Sequence, residues 1–111
     1  MAGRPILGSF ELMVLLAVIR LGEAAYGARI VRALEAGTGR EVGVGSVYAA
    51  LERLEGKGFV SSRLGDPTPE RGGRAKRYFR ATPEGVREAR STRETLSLLW
   101  QGLPQLERAC T

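Results

Sequence analysis

A run of positively charged residues between positions 71 and 80 is the first candidate for a binding site. The segment RGGRAKRYFR holds five cations and no acid, with two glycines near its start and two aromatic residues near its end. Guanidinium and ammonium groups at this density favour a polyanion such as a nucleic-acid backbone. The alternative is a solvated hairpin whose charges prevent pairing with other strand edges. The candidate contacts are Arg71, Arg74, Lys76 and Arg77.

Four residues between positions 46 and 53 form a second candidate site. The Ser46 hydroxyl suits a phosphate oxygen, and Tyr48 suits a phosphate or a base edge. Ala49 is small enough to admit a thymine methyl, and Arg53 can reach guanine O6 and N7 or a phosphate. Three of these residues have structural alternatives: a helix N-cap for Ser46, core packing for Tyr48 and a solvated surface position for Arg53.

The residue inventory argues against catalysis and metal binding. The chain has no histidine and one cysteine, Cys110, so it lacks the usual zinc ligands, histidine bases and internal disulfides. The sequence contains neither of the glycine-rich nucleotide-binding patterns GxxxxGK[ST] and GxGxxG. The glycine-rich segment GTGREVGVGS is therefore interpreted as a connector between helices. We therefore expect no enzyme activity, no cofactor and no metal.

Size and charge narrow the class of protein further. A chain of 111 residues with a net charge of +5 and a pI near 10.1 suggests one domain with a polyanionic partner, either nucleic acid or an acidic membrane surface. The longest apolar stretch, LMVLLAVI, has eight residues, whereas a membrane span needs about 20. No signal-peptide layout is present. We expect a cytoplasmic protein that does not engage a membrane.

Hydrophobic periodicity predicts three helices in the first half of the chain. The first covers residues 9–21, with Ser9 as its cap, and is apolar nearly all round. The second ends near Ala36, and a short extended segment, 40–44, follows it. The third covers 46–57, with Ser46 as its N-cap and Gly58 as its stop.

Two strands and a last helix are predicted in the second half. Residues 59–64 and 76–81 alternate as strands around the loop 65–75, which indicates a β-hairpin. Because neighbouring strand residues point to opposite faces, we expect Phe79 in the core and Tyr78 partly exposed. Thr82 and Pro83 then start the last helix as cap and first helical residue.

The last helix carries an apolar seam. Spacings of 3, 4, 3, 4 and 3 residues resemble a coiled coil in which Arg93 is a flaw and Pro104 closes the seam. Trp100 is either a large apolar anchor in a dimer or, together with the partner's Trp100, one side of a sandwich around a planar ligand. The predicted dimer or ligand interface comprises Val86, Ala89, Leu96, Trp100 and Leu103.

The order of these elements predicts a mainly α fold with a small β-hairpin. It matches a winged helix-turn-helix over residues 1–81, followed by a C-terminal dimerisation helix and tail over 82–111. In this layout the third helix enters the DNA major groove and the hairpin is the wing.

Three segments together resemble the PadR family of bacterial transcriptional regulators: LGSFELMVLLAVIRLGEAAYGARIVRALEAGTG, VGSVYAALERLEGKGFV and GGRAKRYFRATPEG. The resemblance covers about residues 6–90. It implies a dimeric DNA-binding protein, usually a repressor, whose C-terminal helices make the dimer. Some compact members of the family accept flat aromatic compounds between their subunits. Ala49 stands where many relatives have proline, and the wing carries the additional segment DPTPE.

Two functions are therefore expected from the sequence. The first is a dimeric repressor that binds double-stranded DNA and is released by a planar aromatic effector. The alternative is a winged-helix module for protein–protein contact, in which the basic hairpin binds an acidic partner.

Overall fold

The computed structural model describes residues 7–65 and 76–108. Helix α1 covers Ser9–Leu21 and a single 3-10 turn covers Gly22–Ala24. The remaining elements are α2 (Gly27–Thr38), α3 (Val44–Gly56), β1 (Val60–Leu64), β2 (Arg77–Ala81), α4 (Pro83–Trp100) and α5 (Pro104–Arg108). The predicted fold class, mainly α with one antiparallel hairpin, is confirmed.

The core lies where α1, α2 and α3 meet the hairpin. Each helix supplies apolar residues at the 3.6-residue period, which places them on one face. Leu16 and Ile19 lie on the other side of α1 and remain 47% and 39% exposed. Helix α1 is thus buried on one side, and its second apolar side faces outward. The largest fully buried side chains among the described residues are Val14, Leu15, Val18, Ile30, Val47, Leu51 and Leu54.

The predicted serine caps are wrong. The N-cap of α1 is Gly8, and that of α3 is Gly43, neither of which supplies a side-chain hydrogen bond. Helix α3 begins two residues earlier than expected, so Ser46 is its third residue. The segment expected to be extended is not a strand: the Val42 N–H donates to the Glu35 carboxylate at 3.1 Å, which turns the chain directly into α3.

The hairpin follows the predicted alternation. Ser62 pairs with Phe79, and Leu64 pairs with Arg77. Phe79 is 4% exposed and Tyr78 is intermediate, as expected from the two-residue period. The Phe79 N–H also donates to the Ala25 carbonyl at 2.8 Å, so the hairpin is attached to the segment that precedes α2.

Thr82 caps α4 as predicted, since its hydroxyl oxygen accepts from the Gly85 N–H at 3.0 Å. The far end of the helix differs from the prediction. Helix α4 stops at Trp100, and Gly102 turns the chain with a φ of 75°. Pro104 therefore begins α5 and does not close a continuous seam, and Leu103 lies in the connection between two helices.

Candidate nucleic-acid interface

Helix α3 has an inner and an outer side. Its inner side is buried in the core through Val47, Ala50, Leu51 and Leu54. The candidate contacts lie elsewhere on the helix: Ser46, Tyr48 and Arg53 are exposed and Ala49 is half-buried. In a helix-turn-helix, this exposed side of the second motif helix is the one that faces base edges.

Tyr48 packs against the core and also stays partly exposed, so it fits both the packing role and the DNA-contact role considered from the sequence. Its ring packs edge-to-face on Phe79, with centroids 6.4 Å apart, and its hydroxyl lies against Gly27 at the start of α2. A Cβ at position 27 would overlap that hydroxyl, so this contact requires glycine. The side chain is still 40% exposed. Tyr48 thus joins α3 to α2 and β2 and leaves part of its ring accessible.

Arg53 has a partner that the sequence analysis did not identify. Its Nε donates to Glu11 Oε2 at 2.6 Å, and Lys57 Nζ donates to Glu11 Oε1 at 2.8 Å. Glu11 is only 8% exposed. The hydrogen bond from Lys57, followed by that from Arg53, lowers the pKa of the Glu11 carboxyl below its usual value. Glu11 therefore fastens α3 to α1, and base readout by Arg53 stays a prediction.

Lys76 and Arg77 are the two wing candidates within the described residues, whereas Arg71 and Arg74 lie outside them. Arg77 Nη1 donates to Ser62 Oγ at 3.0 Å, and Ser62 Oγ donates to the Glu55 carboxylate at 2.9 Å. This chain of hydrogen bonds connects both strands of the hairpin to α3.

Aromatic rings and cations meet near the loop end of the two hairpin strands, beside the start of α2. The Tyr26 and Tyr78 rings are edge-to-face, with centroids 5.5 Å apart. Lys76 Nζ lies 4.3 Å from the Tyr26 centroid, Arg29 lies 6.0 Å from the same centroid, and Arg63 lies 5.0 Å from that of Tyr78. We call these five residues the tyrosine–cation cluster.

The tyrosine–cation cluster was only partly foreseen. The alternation in β2 indicated an accessible Tyr78, but no local pattern pairs it with Tyr26, Arg29 or Arg63. A hydrogen bond from the Arg29 guanidinium is the main influence that lowers the pKa of the Tyr26 phenol, and the charge of Lys76 acts in the same direction. These cations therefore act electrostatically on the ring system that they surround.

A groove of about 540 Å³ lies away from the hairpin, between α1 and α4. Leu16 and Ile19 form one wall, and Leu96 and Trp100 form the other. Trp100 is 50% exposed. Of the predicted interface residues, Ala89 is buried within its own chain, while Leu96, Trp100 and Leu103 are exposed. Val86 also lines the groove.

Two further properties concern the described parts of the chain. Across residues 7–65 and 76–108, no group of three or more histidine, cysteine or acidic side chains could hold a metal ion. Within those same ranges, no helix is long and apolar enough to cross a membrane.

Three helices followed by an attached β-hairpin, with an exposed side on the third helix, define a winged helix-turn-helix fold. The model of the PadR-like family of transcriptional regulators matches residues 15–91, and the chain belongs to this family. Of the two functions expected from the sequence, the family supports the DNA-binding transcriptional regulator, and regulators of this family are not enzymes. No curated protein matches the chain significantly.

Solved structures agree with this assignment. A PadR family transcriptional regulator from Eggerthella lenta is 29% identical with a TM-score of 0.68, and the match covers 85% of this chain and 80% of that one. A transcriptional regulator from Clostridium thermocellum is 25% identical with a TM-score of 0.67, covering 80% and 83%. The protein hsRosR-S4, solved as a complex, is 30% identical with a TM-score of 0.64, covering 93% and 83%.

Proposed function

We propose that this regulator is a cytoplasmic homodimer that represses transcription by binding an operator in double-stranded DNA. Residues 1–81 bind the DNA, and residues 82–111 hold the two subunits together. The observation that carries the proposal is the presence of two separate exposed surfaces. One is cationic and lies at the start of α2 and on the hairpin, beside α3, and the other is apolar and lies along α4.

The proposed DNA contacts divide by element. Helix α3 enters the major groove with Ser46, Tyr48, Ala49 and Arg53. The hairpin supplies phosphate contacts from Arg71, Arg74, Lys76 and Arg77. Phosphate contacts fix the position of the protein on the duplex, and base contacts select the sequence. In a dimer the two half-sites lie about 34–36 Å apart, one helical turn of DNA.

Selection of bound sequences from a random DNA pool, followed by footprinting, tests this proposal. The expected result is an inverted repeat protected by the wild-type protein. The double variant Arg74→Ala, Lys76→Ala should bind every DNA sequence more weakly, because phosphate contacts do not distinguish bases. No protected sequence would contradict operator binding, and wild-type affinity in the double variant would contradict the role of the wing. An operator–reporter fusion shows whether bound protein lowers transcription.

We further propose that the groove between α1 and α4 admits a planar aromatic effector beside Trp100. The support is the half-exposed indole ring next to apolar walls from Leu16 and Ile19. A ligand that separates the α4 helices would change the spacing of the two α3 helices and weaken operator binding. Tryptophan fluorescence and operator affinity, both measured with a panel of flat aromatic compounds, test this. Unchanged values for every compound would count against it.

A further inference from the structure

The cations near the recognition helix are not equally available to DNA. Helix α3 itself contains one cation, Arg53, and two acids, Glu52 and Glu55. Arg53 shares the Glu11 carboxylate with Lys57. Because the charge of an ion-paired cation is partly cancelled, this side of α3 contributes little net attraction for phosphate. Most of the electrostatic affinity must therefore come from elsewhere.

The tyrosine–cation cluster holds its cations in a different way. A ring face attracts a cation through its quadrupole and carries no net charge, so the cation keeps its full charge. Among the described residues, no carboxylate forms an ion pair with Lys76 or Arg29. Arg63 lies 3.9 Å from the highly exposed Glu23, and such surface pairs are weak. Among the described residues, the cluster thus brings together three cations of which only Arg63 has a carboxylate within 4.0 Å.

We propose that the tyrosine–cation cluster is a binding surface for the phosphate backbone of duplex DNA, in which Tyr26 and Tyr78 position the three cations. Arg29, Arg63 and Lys76 then contact the DNA backbone beside the loop end of the hairpin strands. This inference rests on the proposed DNA-binding mode of the chain. It extends that mode to residues outside the recognition helix and the wing loop.

Backbone contacts join the cluster's hairpin residues to the start of α2, and the Tyr48 ring of α3 packs on Phe79 of the same strand. The Phe79 N–H donates to the Ala25 carbonyl at 2.8 Å, and the Gly65 N–H donates to the Lys76 carbonyl at 2.7 Å. Tyr26 and Tyr78 also form an isolated β-bridge. A phosphate-binding surface at a fixed distance from α3 sets the register of that helix in the groove.

The geometry favours a duplex backbone over single-stranded nucleic acid. Single strands are bound by aromatic faces on which bases stack. Here Tyr26 meets Tyr78 at an interplanar angle of 69°, and both rings already contact cations. The rings therefore do not offer an open stacking platform, and the cluster presents charge to the partner.

The salt dependence of DNA binding tests the proposal with the full chain and a random-sequence duplex. Arg29→Ala and Arg63→Ala should each reduce the slope of log affinity against log salt concentration by about 0.9, the value expected for one lost phosphate contact. Arg87→Ala, which removes an exposed cation on α4, is the matched control and should leave the slope unchanged. Thermal unfolding checks that each variant folds.

The role of the rings is tested separately. Tyr26→Leu should weaken duplex binding by about two- to fivefold, the strength of an exposed cation–π contact, whereas Tyr26→Phe keeps the ring and should bind like wild type. In the Lys76→Ala background, the effect of Tyr26→Leu should shrink, because one of the cations positioned by the ring is absent.

Three results would overturn the inference: unchanged slopes in both arginine variants, an equal loss in Arg87→Ala, or tighter binding to a single strand than to the duplex. If wild type binds duplex DNA with the expected salt slope and the cluster variants match it, the inference fails and the proposed function stands. If wild type shows no salt-dependent binding to any duplex, both fail.

Discussion

At the scale of single residues, one buried acid links helix α3 to helix α1. Glu11 is the buried acid of α1, and it accepts hydrogen bonds from both Arg53 and Lys57. A buried carboxylate between two half-exposed cations is favourable only while all three groups stay charged. The Glu11 carboxylate therefore adds a charge-dependent contact between α1 and α3 to the apolar packing of α3.

We expect Glu11→Gln to lower the free energy of unfolding by about 1–2 kcal/mol at neutral pH, since it removes the charge that both cations share. Urea unfolding measures the change. Glu52→Gln, which alters an exposed acid on α3, is the control and should stay within about 0.5 kcal/mol of wild type. Equal effects of the two substitutions would contradict the role assigned to Glu11.

The same carboxylate makes stability depend on pH. Because Lys57 and Arg53 lower the folded-state pKa of Glu11, the unfolded chain binds this proton more tightly than the folded chain does. The stabilisation is complete above the unfolded-state pKa of about 4.3 and disappears as the pH falls through the lower folded-state pKa. The difference in unfolding free energy between wild type and Glu11→Gln should shrink on acidification. A difference that is constant down to pH 2 would contradict this expectation.

At the scale of elements, glycines decide where helices can approach other backbone. Gly85, in the first turn of α4, lies against the Phe59 carbonyl, and a Cβ there would overlap that oxygen. The neighbouring Thr82 hydroxyl donates to the Gly58 carbonyl at 2.7 Å, and the Thr82 N–H donates to the Phe59 carbonyl at 3.0 Å. The start of α4 is thus fixed on the segment that links α3 to β1.

We expect Gly85→Ala to destabilise the protein by about 1–3 kcal/mol, because the added methyl group forces the backbone apart. Gly37→Ala in α2 is the matched control: no atom lies within 4 Å of its Cβ position. That substitution should stabilise the protein by about 0.4–1 kcal/mol through a less flexible unfolded chain. Thermal unfolding distinguishes them, and a stabilised Gly85→Ala would refute the close approach.

At the scale of the whole molecule, the two exposed surfaces have different chemistry. The C-terminal part of the chain leaves Leu98, Leu99 and Trp100 half or more exposed. An apolar surface of this kind on a small protein is typical of an interface. The cationic surface at the hairpin, by contrast, suits a charged partner. Their separation is the physical basis for the proposed dimer on DNA.

We expect Leu96→Asp to weaken self-association by at least about tenfold, because an unpaired carboxylate at an apolar interface costs more than about 1.4 kcal/mol. Ser91→Asp, on an exposed position of the same helix, is the control. Sedimentation equilibrium measures both. A Leu96→Asp variant with the wild-type dimer constant would remove α4 from the interface.

The sequence by itself determined the order of the first three helices, the hairpin and the helix that follows it, the alternation that buries Phe79, the Thr82 cap and the family. All of these features depend on residues that are close together in the sequence or on recurring motifs, so they can be predicted from the sequence alone. The caps of α1 and α3 and the start of α3 were predicted wrongly, because serine is a common N-cap whereas Gly8 and Gly43 hold these positions.

Only the tertiary structure decided which cations lie beside a carboxylate and which lie beside an aromatic ring. Glu11 lies 42 residues from Arg53 and 46 from Lys57, and Tyr26 reaches Tyr78 only because the hairpin folds back onto the start of α2. Such contacts depend on how packed elements are oriented, and no periodicity along the chain encodes that orientation. The basic run that first indicated a polyanion thus gives only part of the cationic surface, and folding adds Arg29 and Arg63 to it.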